Sequence, residues 1–431
     1  MTGAMYASIA GLKTHMQKLS VIGNNVANVN TAGYKTKRTV FRDSMYNMYS
    51  TGSNGTEVVG GMNPSQIGYG SLIGSIDLDM SSSSYNPGNP MDCAIVGDGF
   101  FLVGDDKEIA QSIDPNDPET FKALNLTRVG DFFFDAKGYL VDGGGKVVYG
   151  FMNTNEGSKP DPSNPDKTIP DISDQLVGIR LPLMEKAYVK VDETGAETPA
   201  NKSDAIDATT GKLNKGYKIN YTVRYPVTKA QNNNNNGGGT STDKIIPLED
   251  YKPKDDPDAN PPTNTETVEL AFAQMDSITI DKKTGAITGI TKEGKIPVTI
   301  GYLAIGNVTN PNGVSHIGQS YYQCDAGAGD LSITMLGGVN QELGILNVNG
   351  SLYRKTTQGG TGNNDTEELP RKSEVTSAGK TELMTGFLEA PNVDLATEIS
   401  ELITTQRGYQ ANTRIITVTD SMLEELVNMK R

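Results

Sequence analysis

Tryptophan is absent from this chain of 431 residues, and cysteine and histidine occur only twice each. Cys93, Cys324, His15 and His316 show no metal-ligand spacing, which argues against a zinc centre. The two cysteines read as ordinary buried thiols, with pairing left to whether the fold brings them together. No apolar run is long enough to span a membrane, so no membrane insertion is expected. No apolar stretch follows the first basic residues as a cleaved secretory signal requires. Apolar residues make up 36% and aromatics 6%, which argues against a single large core. Acidic residues are missing from the first 42 positions, which carry Lys13, Lys18, Lys35, Lys37, Arg38 and Arg42. Such a start suits a membrane surface, a nucleic acid, a presequence or a solvated helix face, and the last is preferred. The remainder is acidic enough to bring the net charge to −14, which argues against nucleic acid.

Signals for chemistry are equally sparse. Gly379-Lys380-Thr381 resembles the end of a phosphate-binding loop, but Glu374 stands where that loop needs glycine. Gly97-Asp98-Gly99 lies between two strand-like runs and does not open a helix, so it is no dinucleotide fingerprint. The acidic cluster at 255–258 lacks the alternating ligands and central glycine of a calcium loop. No catalytic residue, cofactor or metal ligand is assigned, and enzyme activity is not expected.

What is present is a heptad pattern at each end. Met5, Leu12, Leu19 and Val26 recur every seven residues, with Ile9 and Met16 between them; Leu395, Leu402, Tyr409, Ile416 and Leu423 repeat the pattern near the other terminus. Such repeats keep one seam facing a partner helix. Burying a leucine contributes about 1.5–3 kcal/mol, while ordering one residue's backbone costs about 1–2 kcal/mol. An isolated pair of helices is therefore near break-even. Two readings stay open: an intramolecular coiled coil, or helices ordered where neighbouring subunits cover the seam. A second C-terminal row of Ile399, Gln406, Thr413, Asp420 and Val427 is partly polar.

Between the helices, 48 glycines and 21 prolines suit short strands and turns. Asn24, Asn25 and Asn28 end the first helix and Gly33 supplies a turn before Tyr34, giving a jointed linker. Ala94-Ile95-Val96 and Phe100-Phe101-Leu102-Val103 flank Gly97-Asp98-Gly99 as a tight hairpin. A meander follows through Phe132-Phe133-Phe134, Tyr139-Leu140-Val141 and Val147-Val148-Tyr149. It resumes at Val298-Thr299-Ile300 and Tyr302-Leu303-Ala304-Ile305, with a turn at Asn310-Pro311-Asn312-Gly313. Ile345-Leu346 and Leu352-Tyr353 bracket Asn349-Gly350. The intervening stretch is rich in Pro and Asn, with a low-complexity run at 232–239.

The expected fold class is α+β: terminal α-helices forming a coiled coil, with nested, mainly-β domains between them. The layers are residues 1–30 with 385–431 (helical), 31–84 with 370–384 (extended linker), 85–152 with 296–369 (inner β-domain) and 153–295 (inserted outer β-domain).

Several of these segments carry motifs that resemble the axial proteins of the bacterial flagellum, the rod and hook family. At the N-terminus these are Ala10-Gly11-Leu12, the run Leu19 to Thr31, and Gly33-Tyr34-Lys35. At the C-terminus they are Glu389-Ala390-Pro391-Asn392-Val393-Asp394-Leu395, Gln406-Arg407-Gly408-Tyr409-Gln410-Ala411-Asn412 and Asp420-Ser421-Met422-Leu423. Asn63 to Gly68, Ala94 to Phe101, and Thr127-Arg128 with Gly130 are also similar. Length and the insertion resemble the hook branch more than the distal rod branch. The resemblance implies a self-polymerising structural subunit of a hollow, curved universal joint that transmits torque from rod to filament. It further implies a distal rod protein, a hook cap protein, a hook–filament junction protein and the flagellar type III export apparatus as partners. The implied location is extracellular, in the flagellar hook and basal body, reached without a cleaved signal. A secreted β-rich adhesin with a coiled-coil stalk is the reading from a different class.

Overall fold

The heptad-patterned ends become two long helices, α1 (Thr2–Ala27) and α2 (Leu395–Met429). The computed structural model describes residues 2–52, 54–55, 60–81, 83–105, 124–161, 164–172, 176–192, 195–206, 212–229, 243–245, 268–329, 331–335, 345–347, 352–353 and 381–429. The low-complexity run at 232–239, the acidic cluster at 255–258, Asn349-Gly350 and residues 370–380 lie outside them. Within the described residues the chain is mostly β between the two helices, and it divides into two compact units. The first comprises Met1–Ser84 with Ala390–Arg431, the second Tyr85–Glu389.

In the first unit, helix α1 stops where the asparagine-rich run begins to hydrogen-bond with itself. Asn28 donates through Nδ2 to Asn24 O at 2.9 Å, capturing a carbonyl of the last turn, and Gly33 supplies the left-handed residue at φ 67°. Helix α2 starts on Asp394. Its carboxylate accepts from Ala396 N at 3.0 Å and from the Thr397 hydroxyl at 2.6 Å. These bonds, the Thr397 one foremost, hold the Asp394 carboxyl below its ordinary value, as a carboxylate at a helix N-terminus should be. Residues 31–84, expected as an extended linker, contain two antiparallel ribbons. Strands β1 (Lys37–Asp43) and β4 (Ser71–Leu78) pair from Lys37↔Leu78 to Asp43↔Ser71, with a bulge at Val40/Phe41; β2 (Tyr46–Ser50) and β3 (Ser65–Gly68) form the second. Asn392 straps the segment before α2 onto this region. It accepts from Thr36 N at 2.7 Å and donates to Asp79 O at 2.8 Å.

The second unit is a closed barrel with a side sheet. Its strands begin with β5 (Tyr85–Pro87), β6 (Cys93–Val96), β7 (Phe100–Gly104) and β8 (Asn125–Thr127). The expected hairpin at Gly97-Asp98-Gly99 is not formed. Strand β6 pairs instead with Glu382–Thr385 from the far end of the chain, while β7 pairs with β8. The physical reason lies in the connection: Gly97 and Gly99 take φ of 102° and 121°, which turn β7 away from β6. The meander is present. Leu140 pairs with Phe134 and Val141 with Val147, and the turns between are tied by aspartates. Asp135 accepts from Tyr139 N at 2.7 Å, and Asp142 accepts from Lys146 N at 2.8 Å. Pro297–Val308 is a single long strand that ends in a turn capped by Asn310. Ile345–Asn347 and Leu352–Tyr353 pair as a hairpin.

Contrary to the expectation from low aromatic content, this unit has a large core, with a smaller cluster of Tyr139, Val141 and Val147 apart from it. The large core joins Ile95, Phe101, Phe132, Leu140 and Val148 to Ile179, Ile287, Ile300, Leu303 and Leu383. Many medium aliphatic side chains, interleaved from distant strands, take the place of a few large aromatic ones. Val177–Gly178, Met275–Ile280 and Ala286–Thr291 come from the stretch expected as an insertion, yet they are barrel strands. A four-stranded sheet stands beside them. In it Leu183–Val191 pairs with Tyr217–Arg224 on one side and with Val268–Phe272 and Glu197–Pro199 on the other. Both cysteines are thiols. Cys93 is buried, where desolvation and then Asp92 push its pKa up, and Cys324 is partly exposed.

Arg128 is fully buried in this unit. It donates to Gly97 O at 2.7 Å, meets Glu389 Oε2 at 3.5 Å and stacks on Phe100 at 5.5 Å. Glu389 is equally buried, so the pair pins the last strand of the unit to its core. Removing one partner of such a pair strands the other charge. Arg128→Ala is therefore expected to destabilise the unit by about 3–5 kcal/mol, read as a lower denaturant midpoint.

Candidate assembly interface

Helices α1 and α2 lie antiparallel, as four pairs of residues show. Lys18 Nζ bonds Glu401 Oε2 at 2.9 Å and Asn25 Nδ2 donates to Glu398 Oε1 at 3.0 Å. Gly11 faces Asn412, and Gly408 faces His15. The contact is made by small and polar residues. Ser8, Gly11 and Asn25 are buried on α1 together with the apolar Ile22, and Thr405 and Thr419 are buried on α2; Thr14, also buried, turns its hydroxyl to Ser71 of β4. A Cβ on Gly11 would come within 2.7 Å of Asn412 Nδ2, and one on Gly408 within 2.8 Å of the His15 ring. The two glycines therefore permit the close approach.

Of the residues expected to fill a seam, Met5, Ile9, Leu12, Leu19, Val26, Leu402, Tyr409 and Ile416 are half-buried. Met16, Leu395 and Leu423 are exposed, at 56%, 42% and 38%. Within the single chain, then, these apolar rows flank the contact, and its centre is polar apart from Ile22. The row on α2 that faces α1 alongside Leu402, Tyr409 and Ile416 is Glu398, Thr405, Asn412 and Thr419, which sequence reasoning missed. Gly11 and Gly408, both inside the quoted motifs, were the available signal: glycine in a helix interior costs about 1 kcal/mol and needs a packing reason.

The linker residues prove to be a fixed hub. Asn24 and Asn25 belong to α1 itself. Asn25 is buried and uses both ends of its amide. Nδ2 donates to Lys37 O and Glu398 Oε1, each at 3.0 Å; Oδ1 accepts from Lys37 N at 3.1 Å and from the Tyr34 hydroxyl at 3.0 Å. Four segments meet there: the end of α1, the turn, the start of β1 and the first turn of α2. Burial, then the Glu398 charge, pushes the Tyr34 hydroxyl up to about 12, against a hydrogen bond from Asn28. Burial also raises the Glu398 carboxyl, opposed by the Asn25 bond.

Outside the hub, large apolar side chains face solvent. On α2, Ile399 with Ile403, and Ile415 with Val418 and Met422, form two exposed apolar groups at three- and four-residue spacings, separated by a stretch that carries Gln406, Arg407, Gln410 and Arg414; Leu426, also exposed, continues the row of Thr419. Met45, Tyr46, Met48, Tyr49 and Ile67 are exposed on and beside the β2–β3 ribbon. Among the described residues no cluster of His, Cys, Asp and Glu is arranged to hold a metal ion, and no helix is long and apolar enough to cross a membrane.

Comparison with known proteins agrees at both ends. Residues 5–35 match the family model described as flagella basal body rod protein, and residues 384–429 match the one described as flagellar basal body rod FlgEFG protein C-terminal. Full-length relatives include the flagellar basal-body rod protein FlgG of Bacillus subtilis, 27% identical over all of both chains. The flagellar hook protein FlgE of Borreliella burgdorferi is 26% identical, again over all of both. The hook protein FlgE of Helicobacter mustelae is 36% identical over 35% of this chain and 31% of its own. A crystal structure of the Helicobacter pylori hook protein FlgE2 aligns with 56% of this chain and 94% of that one, at 13% identity and a TM-score of 0.24. The two terminal segments are thus similar to the terminal domains of flagellar rod and hook proteins. Relatives that align over the full length include proteins named as flagellar hook proteins and one named as a rod protein.

Asn25→Ala leaves the Lys37 amide, the Tyr34 hydroxyl and Glu398 without their shared partner. It is expected to cost about 1–3 kcal/mol, seen as a lower melting temperature of the helical signal at 222 nm.

Proposed function

We propose that this chain is the structural subunit of the bacterial flagellar hook, polymerising into a hollow, curved tube that transmits torque from rod to filament. The observation that carries the reading is the pair of exposed apolar groups on α2. Large apolar side chains exposed in such groups along one helix mark an interaction surface. Fully burying such side chains yields about 1.5–3 kcal/mol each, and these are about half-buried already. A single helix–helix contact therefore gains roughly 4–9 kcal/mol by the same measure, against about 4–15 kcal/mol of lost rigid-body freedom. One such contact is marginal, whereas contacts repeated to several neighbours are not. An open head-to-tail polymer supplies that repetition.

In this reading the terminal helices form coiled coils with helices of neighbouring copies. Met5, Ile9, Leu12, Met16, Leu19, Val26, Leu395, Leu402, Tyr409, Ile416 and Leu423 line the shared seams around a central channel. The β2–β3 ribbon is covered in the same assembly, since a two-stranded ribbon with both faces wet is not stable alone. Chains reach the site through the flagellar export apparatus without a cleaved signal. They add beneath a cap protein and join the distal rod at one end and a junction protein at the other. The reading assigns no catalysis. A distal rod subunit is the second reading, favoured by the rod relative that aligns over the whole chain.

Val418→Asp places a charge in the second of these groups. Stability of the single chain should stay within about 0.5 kcal/mol, while tubes visible by electron microscopy should be lost. Wild-type tubes from this variant would remove that group from the interface. Deleting the gene and imaging basal bodies separates the two readings: a complete rod without a hook supports the hook, a truncated rod supports the rod.

A further inference from the structure

His15 is one of only two histidines in the chain, and it stands inside the contact between α1 and α2. Its ring occupies the slot left by the missing side chain of Gly408, whose ideal Cβ would lie 2.8 Å from Cε1 and 2.9 Å from Nε2. Phe41 of β1 meets the ring edge-on, with centroids 5.7 Å apart. Nδ1 is buried and has no hydrogen-bond partner among the described residues. The charged group that bears on the imidazole is Lys18, one turn along α1. The Lys18 ammonium is held in place by Glu401 of α2 at 2.9 Å and lies 5.7 Å from the Phe41 ring. Helix α2 faces the imidazole with Gly408 and β1 faces it with Phe41, neither of which is charged.

We propose that His15 is a proton-operated clasp of the helix pair: neutral, it fills the slot over Gly408; protonated, it forces α1 and α2 apart. An imidazolium carries two N–H donors and no acceptor. Here one donor is buried without a partner, and the new charge sits in the field of Lys18. Both effects disfavour the cation, burial more than Lys18, so the pKa is lowered from its ordinary value of 6.5. The direction of the linkage follows. The unfolded helices take up the proton more readily than the packed ones, so the contribution is complete above about pH 6.5 and is lost as pH falls through and below that value. Glu398, elsewhere in the contact, acts in the opposite sense, because its raised pKa makes protonation favourable to packing. Its titration starts from the carboxylate range, well below that of histidine.

The test uses the full-length chain at a concentration where it stays monomeric. Selective labelling of histidine gives two ring C–H signals, and loss of one in His15→Gln assigns it. The His15 signal should titrate below about pH 6.5, and Lys18→Gln should move its midpoint upward. Between about pH 7.5 and pH 5 the wild type should lose more ellipticity at 222 nm than His15→Gln does. A His15 midpoint at or above the ordinary value, or equal acid losses in wild type and variant, would overturn the proposal. Should His15→Gln fail to fold, the wild-type midpoint and its displacement in Lys18→Gln decide the matter alone.

Discussion

The close approach of α1 and α2 is the constraint on which the first unit depends. Gly11 and Gly408 remove the two side chains that would hold the helices apart. Ser8, Thr405 and Thr419, all buried, keep the rest of the contact thin. With small and polar groups in the middle, the large aliphatic residues have nowhere to go but the flanks and the outer face. The exposed apolar groups of α2 are thus a consequence of what occupies the contact. A leucine-filled contact would have satisfied the pair internally and left little to offer another molecule.

The hub at Asn25 sets where that contact begins. One amide satisfies the main chain on both sides of Lys37, the Tyr34 hydroxyl and the Glu398 carboxylate, so the end of α1 and the start of α2 are registered against each other. Arg128 does comparable work in the second unit, where it ties the return strand at Glu389 to the loop at Gly97. Both are single polar side chains buried among several acceptors or donors, and neither is replaceable by a residue of similar size without leaving partners unsatisfied.

Local patterns made part of this visible in the sequence. The helices, the meander around Asp135 and Asp142, and the Asn310 turn all follow from spacing and turn chemistry confined to a few residues. The errors share a different character. The strand Cys93–Val96 was assigned to the neighbour across Gly97-Asp98-Gly99, when its partner is Glu382–Thr385; proximity in sequence was a poor guide to pairing. The ribbons at 37–78 were missed because their apolar residues are exposed on both faces, so they lack the alternation that marks a half-buried strand. The seam was drawn through the largest apolar residues, and the contact chose the smallest. Asn25 was read as a helix breaker because a lone asparagine gives no sign of being buried.

The pairing of first residues with last has a temporal side. Helix α1 has no α2 to meet until residues 395–429 exist, and the strand at Cys93 waits for residue 382 and beyond. Each unit is closed by its most distant segment, so loop-closure entropy is met late and in one step. A ribosome partway through this message would hold a chain that has no means of completing either unit. Completion of both units therefore waits on the segment from residue 382 to 429.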